Sequence, residues 1–178
     1  MTTKSTRFMG LAAAMLFLAI PAMGSDEEGI DAKVAFARMK TLAGSWKPSG
    51  PNDHGHGDEG HAKVIYQVTA AGSSLMQTQF PGEKHEMVTM YHLDGKDLLA
   101  VHYCAAGNQP RLKLDRKASK PDDLVFVFDG GTNLDVAKDT HIHVLRVKFL
   151  ADGKVEEEWD GYTDGKKADC VKIPMSRL

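Results

Sequence analysis

The chain has 178 residues, of which 22 are basic and 24 are acidic, so its formal net charge is −2. A chain this mildly acidic lacks the basic surface that attracts nucleic acids or anionic lipids, and we expect neither as a partner. Its clearest apolar run, Met9–Ile20, has 12 residues, against roughly 20 needed to span a bilayer.

The N-terminus has the three parts of a secretory signal peptide. Lys4 and Arg7 precede the apolar run, and Ala22-Met23-Gly24 places small residues at the positions that a signal peptidase recognises. We therefore predict a signal peptide over residues 1–24 and one exported domain over residues 25–178, periplasmic or secreted. An uncleaved membrane anchor is the alternative. Cleavage leaves 154 residues, enough for one hydrophobic core.

Hydrophobic periodicity predicts one helix followed by a long series of strands. Ile30–Leu42 carries apolar residues at the three-and-four spacing of a helix, and Ala43-Gly44 follows it. After this point the period is two. The predicted strands are Ser45–Lys47, Ala62–Ala70, Ser74–Phe80, His85–Leu93, Asp97–Cys104, Arg111–Asp115, Leu124–Asp129, His141–Leu150, Val155–Tyr162 and Cys170–Arg177.

Short polar turns, several of them containing Asp-Gly, join many of these strands as hairpins. A long antiparallel meander usually curls shut, because closure removes its exposed edges. The fold class that we predict is mainly β: a single antiparallel up-and-down β-barrel of eight to ten strands with one N-terminal helix. An open sandwich is the alternative.

Both ends of the domain resemble the calycin or lipocalin-like barrels. In those families a Gly-x-Trp on the first strand packs its indole across the closed end, and a basic residue of the last strand lies over it. Gly44, Trp46 and Arg177 match these positions. The mature chain also resembles a group of uncharacterised bacterial exported proteins with a similar KTLAGSW start and HYCAAGNQPR centre. This resemblance implies a barrel with a pocket and does not imply a reaction.

The segment HYCAAGNQPR, residues 102–111, suggests a binding site. His102 and Cys104 share one face of their strand, and Arg111 follows the turn as a guanidinium that could orient a carboxylate or carbonyl. We predict that the interior holds a small, largely apolar ligand. The predicted ligand contacts are Tyr91, His92, His102, Cys104, Arg111, Phe126 and Trp159.

Two other interpretations of this segment remain open. His102 and Cys104 could serve a hydrolase or transferase as base and nucleophile, with Arg111 binding an anion. They could also be ordinary interior residues beside a turn. The run VEEEWDGY places Glu156, Glu158 and Asp160 on one face, which we expect to be solvated, with Trp159 turned inward.

Metal or haem binding is a further alternative, although we predict no cofactor. His54, His56 and His61 could gather around Zn²⁺ or Cu²⁺, but the glycines between them favour a mobile loop. His141 and His143 could offer a haem ligand, or be ordinary strand-end histidines.

The two cysteines, Cys104 and Cys170, belong to strands about half the barrel circuit apart. We therefore predict that they form no disulfide with each other.

Overall fold

The computed structural model describes residues 29–49 and 63–178. The predicted signal peptide and the candidate metal ligands His54, His56 and His61 lie outside the described residues. The elements are α1 (Ala32–Lys40), β1 (Gly44–Pro48), β2 (Val64–Thr69), β3 (Ser74–Gln79), β4 (Met87–Asp94), β5 (Asp97–Tyr103), β6 (Gln109–Leu114), β7 (Asp123–Thr132), β8 (His141–Phe149), β9 (Val155–Thr163) and β10 (Lys166–Arg177).

The strands form a closed antiparallel barrel, which confirms the predicted fold class. Each strand pairs with its neighbours in the chain, and β10 pairs with β1 to complete the circuit. In that last pair Trp46 lies opposite Arg177, and Pro48 lies opposite Met175. Closure therefore gives every described strand two partners. Within the described ranges, no helix has the length and apolar character needed to cross a membrane.

Helix α1 lies at the end of the barrel where β1 begins. Its first turn is capped by Asp31, whose Oδ1 accepts hydrogen bonds from the backbone nitrogens of Lys33, at 2.8 Å, and Val34, at 3.2 Å. The helix buries Ala35, Phe36 and Met39 among other residues, and it contacts β4 and β5. Burial of this apolar face holds the helix against the barrel.

Arg177 and Trp46 close the same end. The Arg177 guanidinium carbon lies 4.5 Å from the centre of the Trp46 ring. Its Nη1 and Nη2 donate to the carbonyl oxygens of Ala43 and Thr41, at 2.8 and 2.7 Å. Gly44 adopts a φ of 133°, and a Cβ there would lie 2.7 Å from Arg177 Nη1. Only glycine can adopt this φ and also leave room for the guanidinium, because it has no Cβ.

Replacing Arg177 by alanine should lower the free energy of unfolding by about 1–3 kcal/mol, because a cation–π contact and two charge-assisted hydrogen bonds are lost together. The matched control is Arg111→Ala, which removes an exposed ion pair with Asp129 and a hydrogen bond to the Asp129 carbonyl oxygen but no cation–π contact, and which should change stability by about 0–1 kcal/mol. Urea denaturation measures both. Equal effects would contradict a special role for Arg177 in closing the barrel.

Candidate functional site

Four polar side chains form one row across the interior surface of the barrel. The strand registers pair Tyr66 with Gln77, Gln77 with Thr89, and Thr89 with His102. Paired residues of an antiparallel sheet share a face, so all four point inward. Each is at most 2% exposed. We call Tyr66, Gln77, Thr89 and His102 the polar row.

Glu157 on β9 binds this row from the other side of the interior. Its carboxylate accepts hydrogen bonds from the Tyr66 hydroxyl and from Gln77 Nε2, the latter at 2.8 Å. It also accepts one from Trp159 Nε1 at 2.9 Å. In the barrel order β9 is three strands from β2, so these hydrogen bonds cross the interior. The bonds from Tyr66 and Gln77 connect β9 with β2 and β3, strands with which it shares no backbone ladder.

Tyr91 extends the network, since its hydroxyl donates to Gln77 Oε1 at 2.8 Å. Complete burial raises the pKa of Glu157, and the hydrogen bonds from Tyr66, Trp159 and Gln77 oppose that effect. Burial also raises the pKa of Tyr66 and Tyr91 well above the usual value for tyrosine, and the nearby Glu157 adds to the increase. Both phenols are therefore hydrogen-bond donors at neutral pH.

His102 ends the polar row beside Trp159. Its Nδ1 lies 2.8 Å from Thr89 Oγ1 in a hydrogen bond. Its ring centre lies 5.1 Å from that of Trp159. Burial lowers the pKa of His102 to about 4, so the imidazole is neutral at physiological pH.

Four of the predicted ligand contacts other than His102 also line the interior or its rim. Tyr91 and Phe126 are fully buried and their ring centres lie 5.8 Å apart, and Trp159 is 3% exposed. Cys104 directly follows β5 as a half-buried free thiol. The structure brings His102 and Trp159 together across the interior, a contact between strands that are not neighbours.

His92 and Arg111 lie on the outer face, which corrects their predicted place in the pocket. Adjacent residues of a strand point to opposite faces, and the neighbours of these two, Tyr91 and Leu112, are fully buried. The Arg111 side chain is 48% exposed and its Nε lies 3.1 Å from Asp129 Oδ2. Neither residue can contact a ligand in the interior from this position.

His141 and His143 contact each other and the aromatic rings of Phe128 and Tyr162. His141 Nε2 lies 3.1 Å from His143 Nδ1. The His143 ring stacks on Phe128 and Tyr162, with ring centres 4.9 and 4.0 Å away. Burial and the neighbouring His141 lower the pKa of His143. The described part of the chain holds no group of three His, Cys, Asp or Glu side chains that could bind a metal ion.

Cys104 and Cys170 are both free thiols. Their strands, β5 and β10, are five positions apart in either direction around the barrel. Cys170 pairs with Asp160 in the β9–β10 register, and burial raises the pKa of its thiol. This separation leaves the two residues on opposite sides of the barrel.

The other acidic residues of β9 face outward. Glu156 and Glu158 both bind Lys148, at 3.2 and 2.7 Å. Partial burial alone would raise the pKa of Glu158, but hydrogen bonds from Lys148 and Lys172 lower it to about 2.

Sequence analysis missed Glu157, Tyr66 and Gln77 as site residues. The available indication was that Glu157 shares the period-two face of Trp159, the face predicted to point inward.

Comparison with known proteins assigns no family to this arrangement. No family model matches the chain, and no curated protein matches it at the significance required. The interpretation of the site therefore depends on the geometry of its own residues.

Replacing Glu157 by leucine should lower the free energy of unfolding by about 3–5 kcal/mol, because the buried donors of Tyr66, Gln77 and Trp159 lose their acceptor. Glu156→Leu, one residue away on the outer face, is the matched control and should cost about 1 kcal/mol or less. Denaturant unfolding of both variants measures the difference. A Glu157→Leu protein as stable as the control would show that the network does not hold the barrel.

Stability should also depend on pH through His102. In the folded protein the His102 imidazole is protonated only near its pKa of about 4, whereas in the unfolded chain it is protonated near 6.5. The unfolded state therefore binds more protons between these values. The contribution of His102 is fully present above pH 6.5 and is lost as the pH falls to about 4, by up to about 3 kcal/mol.

Urea denaturation of the wild type and of His102→Gln from pH 7 to pH 4 measures this effect. The wild type should lose more stability over that range than His102→Gln, which carries no titratable group at this position. His92→Gln, on the outer face of β4, is measured over the same range as the control for the substitution itself. Parallel pH profiles for the wild type and His102→Gln would contradict the prediction.

Proposed function

We propose that this protein is an exported calycin-like barrel that binds a small, largely apolar molecule in its interior and is not an enzyme. The observation that carries the proposal is the polar row, a line of buried polar side chains that ends in the neutral His102 imidazole beside Trp159. Burying polar side chains inside a barrel is unfavourable unless they are hydrogen-bonded. A polar row among apolar interior side chains is suited to orienting a ligand.

The surroundings of His102 support a mainly apolar ligand. Trp159 packs against the imidazole, and Phe126 and Tyr91 supply further buried aromatic surface. Arg177 and α1 cover one end of the barrel, so the ligand enters from the opposite end, where Cys104 lies at the rim. This is the usual composition of a small-molecule site, with apolar walls and a few polar groups that set orientation.

Binding is favoured over the alternative of a hydrolase or transferase. A base for Cys104 would have to be His102, but that imidazole is bonded to Thr89 and burial lowers its pKa to about 4, far from the value suited to catalysis at neutral pH. Arg111 pairs with Asp129 on the outer face, where it cannot bind an anion in the interior. The export that we propose follows from residues 1–24, and the proposed function requires no cofactor.

The proposal predicts saturable binding of 1-aminoanthracene, an uncharged aromatic amine, with enhanced fluorescence as the probe enters the apolar interior. His102→Phe keeps the ring and removes both nitrogens, and it should weaken binding about fivefold, the effect of one lost hydrogen bond. His92→Phe, the same change on the outer face, should bind as the wild type does. Absence of saturable binding to the wild type, or equal affinities of the two variants, would contradict the proposal.

A further inference from the structure

Asn108 is a second polar side chain of the interior with an unused hydrogen-bonding atom. It directly precedes β6, in which Pro110 and Leu112 are buried and Arg111 is exposed. By strand alternation Asn108 shares the inward face of Pro110 and Leu112. Its side chain is buried, since the residue is 3% exposed. The Cys104 backbone nitrogen donates to the Asn108 carbonyl oxygen at 3.1 Å, which places Asn108 beside the strand that carries His102.

The orientation of the Asn108 amide is fixed by Thr140. Asn108 Nδ2 donates to the Thr140 carbonyl oxygen at 2.8 Å, and a carbonyl can only accept, so the amide nitrogen has to be on that side. The oxygen, Oδ1, then points away from Thr140. In the described part of the chain Oδ1 is the one buried side-chain atom without a hydrogen-bond partner. An unpaired buried acceptor is unfavourable, and a donor brought by a ligand would remove that penalty.

The charges of the interior limit which ligand can supply the donor. The buried polar residues of the described chain are Gln77, Gln79, Thr89, His102, Asn108, Ser119, His141 and Glu157, with no lysine or arginine among them. Burial holds the pKa of His102 at about 4, so this side chain provides no cation at neutral pH. Glu157 adds an acidic group whose oxygens are already bonded to Tyr66, Gln77 and Trp159.

We infer that the interior site, which rests on the binding function proposed above, takes an uncharged molecule that donates a hydrogen bond to Asn108 Oδ1, such as an alcohol, phenol or amide, and rejects carboxylates. A carboxylate would be transferred from water to a site with no buried lysine or arginine to pair with it, and transfer of an unpaired charge is strongly unfavourable. An ether of the same size would enter but would leave Oδ1 unpaired.

The test uses three eight-carbon probes that differ in the polar group: octan-1-ol, methyl heptyl ether and octanoate. Their dissociation constants are measured on the exported protein at pH 7 by displacement of 1-aminoanthracene and by calorimetry. Octan-1-ol should bind about five- to tenfold more tightly than the ether, the effect of one hydrogen bond. It should bind at least about tenfold more tightly than octanoate.

Two leucine variants assign the preference to Asn108. Asn108→Leu should abolish most of the difference between octan-1-ol and the ether. Gln109→Leu is the matched control because Gln109 Oε1 accepts from Thr132 Oγ1 and Asn133 Nδ2 on the outer face. It should keep the wild-type preference. Thermal unfolding checks that both variants are folded. The comparison of the three probes on the wild type does not depend on either variant.

The outcomes separate this inference from the proposed function. Equal affinities for octan-1-ol and either of the other probes, or an unchanged preference in a folded Asn108→Leu protein, would overturn the inference and leave interior binding intact. If neither 1-aminoanthracene nor any of the three probes binds the wild type, the proposed function fails as well. A preference for octan-1-ol that disappears in Asn108→Leu and persists in Gln109→Leu supports the inference.

Discussion

A carboxylate inside a β-barrel is tolerated only when its oxygens are hydrogen-bonded, and Glu157 meets this condition through Tyr66, Gln77 and Trp159. Because the first two donors belong to β2 and β3, their hydrogen bonds fix the position of β9 relative to strands on the other side of the barrel. A slip of one residue in any of these strands would turn its inward side chains to the outside. The registers of the polar row and of β9 thus depend on one buried group.

The same network divides the interior into two parts with different roles. Towards α1, Trp46 and Arg177 cover the barrel end, and the Trp46 indole nitrogen donates to the Leu42 carbonyl oxygen at 2.7 Å. This end of the barrel is therefore closed, and the indole N–H is hydrogen-bonded. Among the described residues the one unpaired buried side-chain atom, Asn108 Oδ1, lies just before β6 near the other end. Buried polar groups are nearly always hydrogen-bonded, so this atom is the exception in the interior and the basis of the binding inference.

The fold was predictable because strand alternation and hairpin turns are local properties of the sequence. The inward direction of His102 follows from them, whereas the pairing of Trp46 with Arg177 was expected from the resemblance to the calycin barrels. Contacts across the interior were not predictable, because they depend on the stagger of strands that are not neighbours, as between Glu157 and Tyr66. The misplacement of Arg111 had another origin: its chemistry suggested a ligand contact, whereas alternation with the buried Leu112 puts it outside.

Alternation also explains why histidine, asparagine, glutamine and arginine occur together in HYCAAGNQPR. The outward residues attach the hairpin to β7, since Gln109 accepts from Thr132 and Arg111 pairs with Asp129. The inward residues, His102 and Asn108, are held in place by Thr89 and Thr140, and Asn108 keeps its Oδ1 unpaired. A ligand that meets polar groups fixed in this way would lose less affinity to ordering them. The polar side chains of this segment therefore separate by face: those outside make the corner rigid, and those inside are the groups to which the proposed binding function is assigned.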